Sequence, residues 1–356
     1  MEMKQYQLGV FHGDGIGKEI VEATMKVLEE AASSFSNIHI DLEVLPMGLS
    51  AIDQFGHPLP EESKEKLKQK DGWIMGPHDS VAYPEKFKEE RNPSGELRHY
   101  FDLFANIRPA RSMQGIQGVV DQADLVIYRE NTEGYYPDRN MHTGVGEWMV
   151  TPDVAVSTGV FTRKAVERIA RAAFQAAMTR RKKVTIVHKE NVIRLGTGLF
   201  KNVCLEVAED FPEVKVDDFH IDAMAAHLVK DISQFDVIVT ENMFGDILSD
   251  LTGELVGSLG LAASINTNHN QAMAQAVHGS APDIAGKGVS NPCGILLSTI
   301  MLLDWLGKKE NDRDIIALAH TMERAVFQVL KQGMTTPDLG GKETTASLTE
   351  AIIAQL

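Results

Sequence analysis

Short apolar runs alternate with segments of helical period along most of this chain, and that alternation restricts the fold more than any other feature. Leu8–Phe11 reads as a short buried strand. A helix is predicted from Ile16, because Ile16, Ile20, Ala23, Val27 and Ala31 fall on one face. Glu19 and Glu22 lie in its first turns, where the helix dipole favours acids. Ile38–Val44 alternates strictly between apolar and polar residues, as a half-exposed strand does, and Gly72–Met75 is another apolar run. Further strands are predicted at Leu125–Tyr128, Val154–Val156, Val184–Val187 and Val237–Thr240. Helices are predicted at Thr162–Thr179, Gly198–Glu209, Phe244–Val256, Asn291–Trp305 and Asp312–Lys331. The pattern implies an α/β fold with much parallel sheet. No repeat or Pro/Ser-rich linker marks a domain boundary.

A chain of 356 residues is long enough for about two domains. Its formal net charge of −15 argues against a nucleic-acid partner, which needs a basic face. It does not argue against a small anionic ligand, since a local arginine cluster overrides a global charge. The two cysteines, Cys204 and Cys293, follow no pairing or metal spacing and read as reduced structural thiols. The N-terminus lacks a signal-peptide pattern. The most apolar stretch, Gly294–Leu303, is broken by Ser298 and Thr299 and is too short to span a bilayer. The expectation is a soluble cytoplasmic protein with no membrane partner.

Several segments carry chemistry. HGDGIG at His12–Gly17 has glycines at 13 and 15 but Lys at 18, so it fails as a dinucleotide fingerprint and remains a tight strand-to-helix turn. LRHYFDLFANIRPAR carries Arg98, Arg108 and Arg111, and Arg129 ends the strand DLVIYRE. Arginine suits carboxylate recognition because its planar fork meets two oxygens and keeps its charge. Each alone equally fits a solvated surface group. Tyr136 in RENTEGYY and Lys189 in HKEN lie near strand ends, where burial would tune them for proton transfer. Asp246 and Asp250 in FGDILSD are four apart, hence on one helical face, and their charges repel unless something positive lies between them. With Asp222 they form an acidic set that favours Mg²⁺ or Mn²⁺ over zinc; read alone, a solvated acidic face also fits. HGSAPDIAGKGVSNP, His278–Pro292, is an irregular loop that brings backbone N–H groups near a ligand, with Asp283 able to accept ribose hydroxyls and to repel a 2′-phosphate.

Taken in order, GDGIG, FDLFANIRP, RENTEG, FGDILSD, HGSAPDIAGKG and TPDLGG resemble the β-decarboxylating dehydrogenases of the isocitrate/isopropylmalate kind, over nearly the whole chain. The resemblance implies an isopropylmalate dehydrogenase-like two-domain α/β fold with a shared mixed sheet, not a Rossmann fold. It implies a large, cofactor-binding domain from 1–99 with 251–356, and a small domain at 100–250 for dimerisation, substrate and metal. Arg98, Arg108 and Arg129 match the substrate-carboxylate arginines, Tyr136 and Lys189 the acid/base pair, and Asp222, Asp246 and Asp250 the metal ligands. For the cofactor, Asn191, His278, Gly279, Ser280, Ala281, Asp283, Ile284 and Asn291 match binding positions. Asp283–Ile284 stands where NADP users carry Lys–Tyr, so NAD is implied. The resemblance also implies a homodimer in which Lys189 and Asp222 come from the partner subunit. The reaction implied is NAD- and Mg²⁺/Mn²⁺-dependent oxidative decarboxylation of a 3-substituted malate, a hydroxy-di- or tricarboxylate.

Substrate identity rests on the segment before Arg98, where Asn92 and Ser94 stand in place of an aliphatic wall or an added arginine. Leaving each unpaired against an alkyl group would cost about 1–3 kcal/mol, so the expectation is an isocitrate-like substrate. The alternatives are a 3-isopropylmalate or a D-malate/tartrate dehydrogenase, and more remotely a non-catalytic regulatory subunit. The Ser264–Val277 stretch departs from the family pattern, with Gln275–Ala276 where Glu–Pro is usual. No GxxxxGK[ST] run supports a P-loop phosphotransferase.

Overall fold

A computed structural model describes residues 3–88, 90–136, 138, 141, 142, 144 and 146–356. The fold is α/β with a large mixed sheet. The chain divides into two compact units, one of 1–97, 113–117 and 257–356, the other of 98–112 and 118–256.

In the first unit β1 (Lys4–Phe11) lies between β2 (Ile38–Val44) and β3 (Gly72–Met75), parallel to both. β12 (Ala272–Gln275) continues parallel to β3, and β11 (Ile265–Thr267) runs antiparallel to β12. β3 is buried throughout, so it reads as an unbroken apolar run rather than an alternating one. β2 pairs only with β1 in this unit; its alternation holds from Ile38 to Leu42 and then slips, because Glu43 is drawn in by Lys66 and Lys70. Helices α1 (Gly17–Ser33), α9 (Cys293–Lys309), α10 (Arg313–Lys331) and α11 (Thr345–Ile353) pack in this unit. α9 runs a turn beyond the predicted Trp305, because Leu306 is still buried and Lys308 and Lys309 suit a C-terminal turn. The short helices α2 (Leu49–Phe55) and α3 (Glu61–Leu67) have no counterpart among the predicted elements, and neither has α4 (Pro93–Tyr100), which runs across the unit boundary.

In the second unit β4 (Ala105–Arg111) pairs antiparallel with β5 (Asp124–Glu130), followed by β10 (Val237–Thr240), β8 (Lys183–His188) and β9 (Lys215–His220), all parallel to β5. Alternate residues feed opposite faces, as a strand's period of two demands. Val184, Ile186, Val237 and Val239 pack with Val166, Ile169, Ala173 and Phe174 of α5 (Arg163–Met178) and with Phe200 of α6 (Gly196–Ala208). Ile127, Val187 and Ile238 pack with Met224 and Leu228 of α7 (Ile221–Lys230) and Leu248 of α8 (Asn242–Val256). A two-stranded arm, β6 (Glu147–Thr151) with β7 (Val154–Ser157), carries exposed Trp148, Met149, Val150 and Val154. Among the described residues no helix is long and apolar enough to cross a membrane.

The turn after β1 is held by Asp14, buried, whose carboxylate accepts from Leu49 N, Asp79 N and the Tyr83 hydroxyl at 2.7, 2.9 and 2.8 Å. Asp14→Ala should destabilise the protein in urea denaturation by several kcal/mol, at about 1–3 kcal/mol for each stranded donor. Asp14→Asn, which keeps one acceptor oxygen, should lose less, and equal losses would mean that the side chain's volume matters rather than its bonds.

Candidate active site

Antiparallel pairing sets Asn106 of β4 opposite Arg129 of β5 and Arg108 opposite Ile127, so Arg108 and Arg129 stand on one face of this pair of strands, two rows apart. Both are buried, at 6% and 1% exposure. Arg129 donates through Nε to Asn242 Oδ1 at 2.9 Å and through Nη1 to Asp246 Oδ1. Arg108 Nη1 reaches Ser249 Oγ, Asp246 Oδ1 at 3.2 Å and Asp250 Oδ1 at 3.5 Å. The positive group required between the two α8 carboxylates is therefore Arg108. Tyr136 donates its hydroxyl to Asp246 Oδ2, and the Arg129 guanidinium lies 5.3 Å from the Tyr136 ring centre. Gly245 is needed beneath them, since a Cβ there would come within 2.5 Å of Arg129 Cγ. Arg98 Nη1 donates to Asn131 Oδ1 at 3.1 Å, and Asn131 is itself held to Leu103 O.

The electrostatics follow from burial and charge. Burial opposes ionisation of Asp246, but Arg129, Arg108, the Tyr136 bond and Arg98 outweigh it and pull the pKa down to about 2. Burial, with Arg129 alongside, lowers Arg108 to about 10. Asp250, short of compensation, is pushed up by burial. Among the described residues Arg108 Nε is buried without a hydrogen-bond partner, a donor fitted to an anion.

Lys189, one residue past β8, binds Asp222 Oδ1 in the first turn of α7. That bond holds the Asp222 carboxyl below the usual range. Among the described residues no three His, Cys, Asp or Glu side chains gather closely enough to hold a metal. A single chain thus offers Asp246 and Asp250 together and Asp222 apart from them. Asn191 is exposed two residues beyond Lys189.

In the first unit, His278–Asn291 forms an irregular loop after β12. Ser280 O accepts from Ile16 N, and a Cβ on Gly15 would lie 2.0 Å from that oxygen, which explains the glycine of the HGDGIG turn. Ala281 takes a left-handed conformation, φ 38°, to turn the chain into exposed Asp283 and half-buried Ile284. Beyond Gly279 there is open space where a Cβ would stand. Among the described residues Nε2 of His278 and of His12 are buried without hydrogen-bond partners, and burial lowers the pKa of both rings, so each offers an unspent polar atom. These features fit a dinucleotide. The Asn291 side chain is spent otherwise: Oδ1 accepts from Cys293 N to cap α9 and Nδ2 donates to Asp338 Oδ2 at 3.0 Å.

Asn92 Oδ1 and Ser94 Oγ have internal partners, so an alkyl substrate would strand neither of these two atoms. Asn92 Oδ1 accepts from Gly95 N at 2.8 Å, and Ser94 Oγ donates to Gln275 Oε1 at 3.0 Å. Asn242 and Ser249 escaped notice in the sequence, although their spacing from Asp246 places them on its helical face. Glu241 was missed too; its buried carboxylate accepts from Met243 N and Phe244 N and so begins α8 before the predicted Phe244.

Residues 7–352 match the family described as isocitrate/isopropylmalate dehydrogenase. The 3-isopropylmalate dehydrogenase of Archaeoglobus fulgidus is 41% identical over 348 residues, 98% of each chain. The isocitrate/homoisocitrate dehydrogenase of Thermus thermophilus is 42% identical over 354 residues, covering 99% of this chain and 98% of that one. The crystal structure of isocitrate dehydrogenase from Methylococcus capsulatus superposes with a TM-score of 0.86 at 37% identity, covering 98% of this chain and 99% of that one.

Glu133 and Glu241 are both pushed up to about 7, chiefly by burial. A folded-state pKa above the unfolded value of about 4.3 means that their contribution to stability is complete below that value and is lost as pH rises through about 7. Glu241→Gln should flatten the fall in melting temperature between about pH 4 and pH 7; an unaltered slope would place the loss elsewhere.

Proposed function

This chain belongs to the isocitrate/isopropylmalate dehydrogenase family and is a β-decarboxylating dehydrogenase acting on a CH–OH group; from that premise we propose NAD- and Mg²⁺/Mn²⁺-dependent oxidative decarboxylation of a 3-substituted malate. The observation that carries this reading is the convergence of Arg108, Arg129 and Tyr136 on Asp246, beside Asp250. Arg98, Arg108 and Arg129 hold the substrate's carboxylates, Arg108 through its unspent Nε. Asp246 and Asp250, with Asp222 of a second copy, would hold the divalent cation, which supplies Lewis-acid polarisation of the hydroxyl oxygen when bound. Lys189 would take the hydroxyl proton, and bound NAD⁺ would supply the hydride acceptor for C2. The 3-carboxy-2-keto acid so formed releases CO₂, and Tyr136 returns a proton to C3. The products are a 2-keto acid, CO₂ and NADH.

We assign cofactor binding to 1–99 with 251–356, and substrate, metal and dimer contacts to 100–250. NAD over NADP is supported by exposed Asp283, where a 2′-phosphate would be repelled. His278, Gly279, Ser280, Ala281 and Ile284 line the cofactor loop, with Asn191 supplied beside Lys189 and Asn291 acting through the α9 cap. A homodimer in the cytoplasm is proposed, supported by the apolar arm of β6 and β7 and by exposed Val229 and Ile247 on α7 and α8. Isocitrate-like substrates remain the first reading, supported by Asn92 Nδ2, which has no hydrogen-bond partner among the described residues. The Ser94–Gln275 bond favours a second reading, 3-isopropylmalate, because it leaves the serine hydroxyl satisfied without substrate.

The direct test is NADH formation and CO₂ release with Mg²⁺ or Mn²⁺ across isocitrate, homoisocitrate, 3-isopropylmalate, tartrate and D-malate. Activity with isopropylmalate alone would select the second reading, and no activity with any of the five would overturn the proposal. Asp283→Lys with Ile284→Tyr should shift preference toward NADP. Lys189→Met should lower turnover by about 10²–10⁴-fold with cofactor binding kept. Mixing Lys189→Met with Asp246→Asn subunits should restore activity, since one site of each hybrid then holds both native residues; a mixture that stays inactive places Lys189 and Asp246 of one chain in the same site.

A further inference from the structure

The turn that carries Lys189 is braced by side chains to which no role has yet been given. His188 is the last residue of β8 and is fully buried. Its Nε2 lies 2.8 Å from Asp218 Oδ2 on the neighbouring strand β9, and its Nδ1 faces Glu190 N at 3.2 Å. A carboxylate on one side and an N–H on the other fix the tautomer: Nε2 carries the proton and donates, and Nδ1 accepts. Burial lowers the imidazole's pKa against the pull of Asp218, which agrees with a neutral ring. From α6, Lys201 closes the arrangement, reaching Glu190 Oε1 at 2.6 Å and Asp218 Oδ2 at 3.1 Å.

The bonds of His188 straddle Lys189 in sequence. One ties the end of β8 to β9, the strand that leads directly into α7 and Asp222. The other reaches forward over Lys189 to the next peptide. Beyond that, Lys189 N donates to Thr197 Oγ1, and Ile193 N donates to Lys189 O. The lysine backbone is thus held from both directions, and its side chain is left to meet Asp222. A buried imidazole costs desolvation that an aliphatic residue would avoid, and what it supplies here is one donor and one acceptor at set places.

We infer that His188, braced by Asp218 and Lys201, is a positioning residue that sets where the Lys189 amine stands for proton transfer. This rests on the reading of Lys189 given above. Substrate carboxylates are assigned to arginines on α4, β4 and β5, so loss of the brace should act on turnover and not on binding.

The experiment compares His188→Ala, His188→Asn and His188→Gln in the full-length enzyme, with whichever substrate proves active. His188→Ala should lower kcat by about 10²-fold, the size expected for a misplacement on the order of 1 Å. KM and NADH affinity, read by fluorescence titration, should be unchanged. Asn keeps an acceptor for Glu190 N–H and Gln keeps a donor for Asp218, so each should recover part of the loss. Wild-type kcat in all three, or a matching change in KM and NADH affinity, overturns the inference. Should His188→Ala fail to fold, Lys201→Met tests the same brace without emptying the core: a lower kcat at constant KM supports it and an unchanged kcat overturns it. Lys189→Met separates the two levels. Near-normal turnover in that variant removes the role of Lys189 and this inference with it, whereas an inactive Lys189→Met beside a normal His188→Ala removes only the inference.

Discussion

Two buried guanidinium groups against one carboxylate form the constraint on which the rest of the second unit depends. Arg108 and Arg129 have almost no contact with water, and a charge so placed persists only where it is paired and hydrogen-bonded. Asp246 supplies most of that compensation, which is why its ionised form survives burial. The same requirement explains the local sequence. Gly245 clears room for the Arg129 stem, Asn242 takes its Nε, and Ser249 takes Arg108. Arg98, Arg108 and Arg129 against Asp246 and Asp250 leave one positive charge unmatched. A third aspartate, Asp222, would bring its ion-paired Lys189 with it, so one positive charge would still be left to meet an anion. A chain with a net charge of −15 therefore keeps a place for an anion by concentrating arginine where solvent is excluded.

The first unit handles its ligand loop by another route. The loop from His278 is shaped by main-chain bonds, to Ile16 at one end and to Thr345 at the other, and by a left-handed Ala281. Glu19 of α1 accepts from Ser290 N and from the Thr345 hydroxyl, and so pins the loop's far end. Few side chains of this loop carry charge, so a dinucleotide bound there would be met by shape, by backbone groups and by exposed Asp283. This is the division expected when a dinucleotide is gripped along its length and a small polyanion at its carboxylates.

What the sequence made legible was periodic or local. Asp246 and Asp250 could be paired from their spacing, and the need for a cation between them follows from Coulomb's law. That the cation is Arg108 depends on the register of β4 against β5, a non-local fact. α2 and α3 escaped because seven residues do not span two helical turns, and Asn92 could not be seen as a cap without α4. β9 was hidden by its composition. KVDDFH reads as a charged loop until Thr185, His188 and Lys201 are seen to satisfy its two aspartates. Its missing apolar pattern and the brace beside Lys189 thus have one cause, since the polar residues that spoil the strand's signal are those that hold the lysine turn.

The same reasoning changes how the substrate question is posed. In the sequence alone, the polar atoms of the residues preceding Arg98 look free for a ligand. In the folded chain Ser94 spends its hydroxyl on Gln275, and Gln275 is itself fixed by Ser264, which accepts at its backbone oxygen from Gln275 N and donates through Oγ to Gln275 O. As an amide, Gln275 offers Ser94 an acceptor without adding a negative charge. A polar residue beside a ligand site is therefore weak evidence for a polar ligand until its partners are known. What discriminates among distal groups at this position is the part of each side chain left over after internal bonding. For Asn92 that remainder is an amide donor, from which a carboxylate would accept and an isopropyl group would not.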